Sequence, residues 1–221
     1  GAHDRDYVRD PSCEEFEEWQ KAASGQIKIV TVAPERRGAI EFIRYITERG
    51  VTAAIGHTAA DPGRIAEAVA AGARLSTHLG NGSHAALPRL KNYIWEQLAC
   101  DELCAGIIAD GFHLPASVVK VVSRVKGLSR IVLVSDVAPP GGNPAGVHKW
   151  NAIDVEVFPD GHFGLFGTPF LAGAGHLLDW TVPHFMGFSG LGLAEAIRLC
   201  TVNPGRIVGY DPIYGTLSPG A

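Results

Sequence analysis

Between residues 27 and 135, strand-like and helix-like segments take turns, and this alternation constrains the fold more than any other feature of the chain. Residues 27–32 (Ile-Lys-Ile-Val-Thr-Val) are β-branched and apolar, as in a strand buried on both faces. Residues 37–49 place Ile40, Ile43 and Ile46 on one helical face, and Gly50 stops the helix. The pattern then repeats. Strands are expected at 51–55, 74–77, 104–109 and 131–135, and helices at 61–71, 93–99 and 115–126, with Asp61 as an N-cap and Pro62 in the first turn. A repeat of roughly 25 residues of this kind means βα units and a parallel sheet. Residues 145–170 break the rhythm with strand-like runs at 152–158 and 162–166 around a Pro-Asp-Gly turn (159–161), and helices return at 175–184, 193–200 and 204–208.

Five βα units fit either an open doubly wound sheet or part of a (β/α)₈ barrel. No Gly-x-Gly-x-x-Gly follows a strand, and no phosphate-loop lysine motif is present. Polar clusters follow the strands instead: Pro34-Glu35, Gly56-His57-Thr58, His78-Leu79-Gly80-Asn81, Asp110-Gly111-Phe112-His113 and Ser135-Asp136. In a barrel the strand C-termini converge on one mouth, where catalytic groups sit, so five such ends favour an α/β fold of the TIM-barrel type. Composition agrees with a globular enzyme. The chain is 46% hydrophobic and 19% charged, with a net charge of −4, which argues against a dedicated nucleic-acid binder. No apolar run approaches the ~20 residues of a membrane span. The four cysteines are too few and scattered for a disulfide scaffold, which points to reduced thiols and a cytoplasmic setting.

His57 and His78 end successive strands, and adjacent ends of a parallel sheet are close enough for two imidazoles to reach one ion. Zinc takes His nitrogen readily. Taken alone, they are equally two hydrogen-bonded loop histidines. Asp136 ends the fifth strand, where a carboxylate can act as general base on a water activated by a metal, or can simply cap a helix. His113 lies in a loop before a helix. Asn81-Gly82 and Arg89 follow His78 in a Gly-containing loop of the kind that can grip an anion.

Together these segments resemble the N-acetylglucosamine-6-phosphate deacetylases of the amidohydrolase superfamily. The matching pieces are Gly-Ala-His (1–3) with Arg-Asp-Pro (9–11), Thr-Val-Ala-Pro-Glu (31–35), Gly-His-Thr (56–58) and Thr-His-Leu-Gly-Asn (77–81). They continue with Gly-Ile-Ile-Ala-Asp-Gly-Phe-His (106–113), Val-Ser-Asp-Val (134–137), Thr-Val-Asn-Pro-Gly (201–205) and Gly-Thr-Leu-Ser-Pro-Gly (215–220), in the family's order. The resemblance implies a partial (β/α)₈ barrel of the metal-dependent amidohydrolase kind and hydrolysis of an N-acetyl amino-sugar phosphate to acetate and free amine. It implies that His57 and His78 ligate a divalent ion, with zinc expected, and that Asp136 moves the proton. His3 would polarise the acetamide carbonyl, and Asn81, the Gly82 backbone, Arg89 and His113 would hold the substrate. It also implies a homodimer in which Arg89 reaches the neighbouring subunit's site. The family's ligating Glu lies in a His-Leu-Glu-Gly-Pro segment ahead of Gly-Ala-His, so Glu35 is expected to be structural.

The loop at 82–89 (Gly-Ser-His-Ala-Ala-Leu-Pro-Arg) departs from the family's usual Met-containing, Gly-Arg-Glu-Pro type, with His84 an extra polar group. That keeps open a related amidohydrolase acting on another N-acyl substrate. Only about five clear βα units are visible where a full barrel needs eight. The chain is therefore expected to be one incomplete catalytic barrel domain, 1–221, with a hairpin insertion near 150–167 and lacking its first strands and β-sandwich. A non-catalytic barrel fragment is the remaining reading. His148, His162, His176 and His184 are expected to be surface or packing residues, and the four tryptophans core or interface aromatics.

Overall fold

The computed structural model describes residues 5–210 and 214–217. His3 and the end of the Gly-Thr-Leu-Ser-Pro-Gly segment lie outside the described residues.

Five parallel strands, β1 (Ile29–Val32), β2 (Thr52–Ile55), β3 (Leu75–Ser76), β4 (Cys104–Ile107) and β5 (Ile131–Leu133), stand in sequence order in one sheet. Helices α1 (Cys13–Ala22), α2 (Ala39–Thr47), α3 (Pro62–Ala70), α4 (Tyr93–Ala99) and α5 (Ala116–Lys126) complete the repeat. The local signals act as expected. Asp61 accepts the Arg64 backbone N–H at 2.9 Å with Pro62 opening α3, and Asn92 caps α4 through the backbone N–H groups of Ile94 and Trp95.

Side-chain alternation along the strands identifies the two faces. Ala53 and Ile55 of β2 pack with α2 and α3, and Ala105, Ile107, Ile131 and Leu133 pack with α5 and the later helices. Their neighbours Ala54, Leu75, Cys104 and Val132 form a separate cluster on the opposite face. A sheet with helices on one face and a small apolar layer on the other is an arc of a (β/α)₈ barrel. Helices α6 (Leu178–Ser189), α7 (Leu193–Cys200) and α8 (Val202–Ile207) follow. Buried Asn203 donates from Nδ2 to the carbonyls of Leu128 and Ile131, each at 2.7 Å, and Thr52 Oγ1 donates to the Ile207 carbonyl at 2.7 Å. These bonds pin α8 beneath the strand starts, leaving the strand C-termini for the site.

The break in the rhythm is larger than a hairpin. Strands β6 (Gly146–Trp150), β7 (Ile153–Val157), β8 (Phe163–Leu165) and β9 (Leu171–Gly173) form a four-stranded antiparallel sheet around Val155, Val157, Phe163 and Ala172. The Pro159-Asp160-Gly161 turn joins β7 to β8. Val137 bridges Ala174, and the Ala138 N–H donates to the Ala174 carbonyl at 3.0 Å. The end of this second sheet thus grips the loop that carries Asp136.

Candidate functional site

Parallel register sets the height of the two central histidines. Ile55 pairs with Ser76 across β2 and β3, so His57 and His78 both lie two residues beyond that paired level. Two glycines and a hydroxyl pair let their loops pack this tightly. A Cβ on Gly56 would come within 2.7 Å of Thr31 Cγ2 and 2.8 Å of Thr77 Cβ. The Thr31 and Thr77 hydroxyls bond over it at 2.8 Å. A Cβ on Gly106 would lie 3.0 Å from the Ser76 carbonyl, where Leu79 N–H also donates to Gly106.

His57, His78 and Asp136 share a backbone state. Their φ angles are 48°, 31° and 53°, and only two other non-glycine described residues, Ser24 and Asn151, have positive φ. Such conformations are costly for L-residues and persist where the surroundings over-determine them. The result at the histidines is convergence. The Nε2 atoms of His57 and His78 stand 2.8 Å apart, with the rings nearly perpendicular at 83°. Two nitrogens each about 2.1 Å from one tetrahedral ion stand roughly 3.4 Å apart, so a small opening of this pair would admit one. The residues present thus fit two ligands of a divalent ion. Among the described residues, no group of three or more His, Cys, Asp or Glu that could hold a metal occurs.

Gly82 lies directly against this pair. Its φ is +62°, and an added Cβ would meet His57 Nδ1 at 2.7 Å. The Asn81 side-chain nitrogen is buried with no hydrogen-bond partner among the described residues, next to a narrow cavity lined by His57, Thr58, Thr77, Asn81, Gly82 and Tyr93. A buried donor left without an acceptor is uncommon and marks a place where a ligand could accept. Glu35 accepts from Thr58 Oγ1 at 2.5 Å and from the Ala59 N–H at 2.6 Å, so it ties down the loop after His57. His84 is held by Tyr93. The Tyr93 hydroxyl accepts the His84 N–H at 3.0 Å and lies 2.9 Å from its Nδ1.

His113 belongs to a second constellation. Asp110 follows β4 and is buried. Its Oδ1 accepts the Phe112 and His113 N–H groups, both at 2.9 Å, while Oδ2 lies 2.7 Å from His113 Nδ1. Burial alone would push the Asp110 carboxyl up. The His113 ring and these backbone N–H groups outweigh it and leave the carboxyl below its ordinary value.

Asp136 is exposed beyond β5, and Arg89 is exposed with no ion pair among the described residues. The structure therefore brings His57, His78, Asn81 and Gly82 into contact. His113 and Asp136 stand on neighbouring strand ends, and Arg89 lies at the outer end of the loop. Burial, first of all, raises the thiols of Cys13, Cys100, Cys104 and Cys200, which makes them poor nucleophiles.

Several residues escaped sequence reasoning. Phe158, His162, Phe112, His176, Trp180, His184 and Phe188 form a column of neighbouring rings in which histidines alternate with aromatics. Centroid spacings along the stacked part run from 4.2 Å for His176–Trp180 to 5.7 Å for Phe112–His176. His162 is thus a packing residue, stacked between Phe158 and Phe112. His176 precedes α6, and Trp180 is partly exposed between the rings of His176 and His184. The alternation is scattered over three segments and carries no local signal. Asp110 stands in the polar cluster after β4, but only the contact with His113 gives it a role.

No family model matches the chain. It is 34% identical over 234 residues to the N-acetylglucosamine-6-phosphate deacetylase of Bos taurus, and 29% identical over 223 residues to the N-acetylgalactosamine-6-phosphate deacetylase of Escherichia coli O157:H7. Both alignments cover 100% of this chain, and 55% and 58% of the relatives. A solved structure of N-acetyl-D-glucosamine-6-phosphate deacetylase from Mycobacterium smegmatis, an aspartate-to-alanine variant in complex with N-acetyl-D-glucosamine 6-phosphate, superposes with a TM-score of 0.87 at 29% identity. It is matched over 95% of this chain and 56% of its own. The chain spans about half the length of the curated relatives it matches.

Proposed function

Because the chain belongs with the N-acetylglucosamine-6-phosphate deacetylases in sequence and fold, over its whole length and about half of theirs, we propose that its site hydrolyses the acetamide of an N-acetyl amino-sugar 6-phosphate. The observation that carries this reading is the convergence of His57 and His78 Nε2 at 2.8 Å beside the unpartnered Asn81 amide. In it, His57 and His78 hold a divalent ion, zinc being the expected one, which when bound supplies a Lewis acid for the amide carbonyl. Asp136 takes the proton of the attacking water and returns it to the departing amine. Its exposure above the sheet leaves room for both. Asn81, the Gly82 backbone and His113 orient the sugar, and His3 assists at the carbonyl. Arg89, directed outward here, meets the phosphate of a neighbouring subunit's substrate in a homodimer.

In the same reading residues 1–221 act as one catalytic barrel unit with β6–β9 inserted into it, in the cytoplasm. All four cysteines are free, and no helix among the described residues is long and apolar enough to cross a membrane.

The named relatives differ at one sugar carbon, glucosamine against galactosamine, and the loop at 82–89 is where this chain departs from the usual family pattern. The deciding experiment compares acetate release from the two N-acetylhexosamine 6-phosphates and from N-acetylglucosamine. Turnover of a 6-phosphate above the unphosphorylated sugar supports the reading. Release from unphosphorylated substrates alone would replace it with a different N-acyl specificity.

A further inference from the structure

The Asp110–His113 pair and the ring column meet in one loop, Asp110-Gly111-Phe112-His113. The Asp110 side chain is 2% exposed, and an ionised carboxylate only accepts hydrogen bonds. Its oxygens are engaged by two backbone N–H groups and by His113 Nδ1. The Asp110 carbonyl accepts the indole N–H of Trp180 at 3.0 Å, which fastens the loop to α6. Trp180 is itself held between His176 at 4.2 Å and His184 at 4.8 Å. Phe112 stacks on His162 from the β7–β8 turn at 4.6 Å. Gly111 has φ +91°, and a Cβ there would touch His184 at 3.4 Å. The loop is therefore tied to α6 through the Asp110 carbonyl and to the β7–β8 turn through Phe112.

We propose that Asp110 and Trp180 are positioning residues for His113, fixing its ring as the Nδ1–H tautomer so that Nε2 is the atom offered to a ligand. Neither residue touches the substrate in this account. Asp110 sets the proton's place on the ring, and Trp180 sets the height of the loop. The tautomer assignment stands on geometry alone, and its effect on turnover rests on the deacetylase reading.

The test is side-chain ¹⁵N–¹H correlation NMR of the histidines at neutral pH, with Asp110→Asn and Trp180→Phe alongside. The native protein should show His113 protonated on Nδ1. Asp110→Asn can keep accepting the backbone N–H groups but presents an N–H to the ring, so it should move the proton to Nε2. An Nε2–H tautomer in the native protein overturns the proposal, and that measurement decides the matter even if the variant does not fold. In kinetics, Asp110→Asn should raise KM for the sugar phosphate by about tenfold with kcat little changed, and Trp180→Phe by less. Neither should add to the loss in a His113→Ala background. An equal loss in both backgrounds would show that the two residues act independently of His113. Absence of acetate release from any sugar phosphate would end the deacetylase reading and leave the NMR result to judge the tautomer.

Discussion

His57 and His78 present their Nε2 atoms to each other at 2.8 Å, although their strands are separate βα units and each residue is held in the left-handed region. Both histidines follow a strand of the same sheet at the same register level. The geometry predicts a shared divalent ion. Titration with zinc should show one site, and His78→Ala should weaken it by at least about a hundredfold, since losing even an outer-shell partner of a ligand costs roughly 10–100-fold. Undiminished zinc binding in that variant would mean the ion sits elsewhere.

Gly82 tests how tightly the pair is framed. Gly82→Ala places a methyl 2.7 Å from His57 Nδ1 at a φ of +62°. The methyl must push the His57 ring out of place, so zinc affinity should fall roughly tenfold, about 1.4 kcal/mol. Calorimetry with zinc reads this directly, and an unchanged affinity would show that the loop relaxes freely.

In the proposed reading Arg89 meets the phosphate and takes no part in the chemistry. Arg89→Ala should raise KM about tenfold or more for an N-acetylhexosamine 6-phosphate, because a charge-assisted contact contributes roughly 1.5–3 kcal/mol. KM for the unphosphorylated sugar should not move. A parallel loss on both substrates would assign Arg89 to folding or assembly.

Asp110 predicts an acid-side dependence. Its folded-state pKa is lowered, so the stability it contributes is present above the ordinary carboxylate range and is lost as pH falls through that range toward the depressed value. Thermal unfolding should show a decline below about pH 4 that is shallower in Asp110→Asn. An identical slope in the two proteins would remove Asp110 as a source.

Lys126 is 1% exposed and donates from Nζ to the carbonyls of Gln97, Cys100 and Leu103 at 2.6–2.9 Å. It closes the end of α4 onto β4. Lys126→Met removes the donors and leaves buried acceptors unsatisfied, which should destabilise the fold by about 3 kcal/mol in urea unfolding. A loss within 0.5 kcal/mol, about the size of a neutral surface change, would show that water replaces the ammonium.

Local chemistry made much of this readable from the sequence. Asp61-Pro62 announces α3, and the apolar runs that stop just before His57, His78 and Asp136 mark strand ends because the buried, side-chain-covered part of a parallel strand stops there. Strands β6 and β9 were not readable. Gly146 and the Leu171-Ala172-Gly173 stretch carry turn-like residues, and only pairing with β7 and β8 makes them strands. The ring column was equally silent, since stacking between Phe112, His162 and His176 exists only once three distant segments meet. Expecting α6 from residue 175 missed its start at Leu178, because Gly175 sits against the Gly161 carbonyl and leaves His176 free to stack.

The central claim is that Asp136 moves the proton while His57 and His78 hold the ion. Acetate release from N-acetylglucosamine 6-phosphate by Asp136→Asn, measured beside the zinc content of the same protein, tests it most directly. The account predicts a rate loss of at least about a hundredfold, the lower end for general acid–base catalysis, with zinc content unchanged. Full activity in the zinc-loaded variant would contradict it.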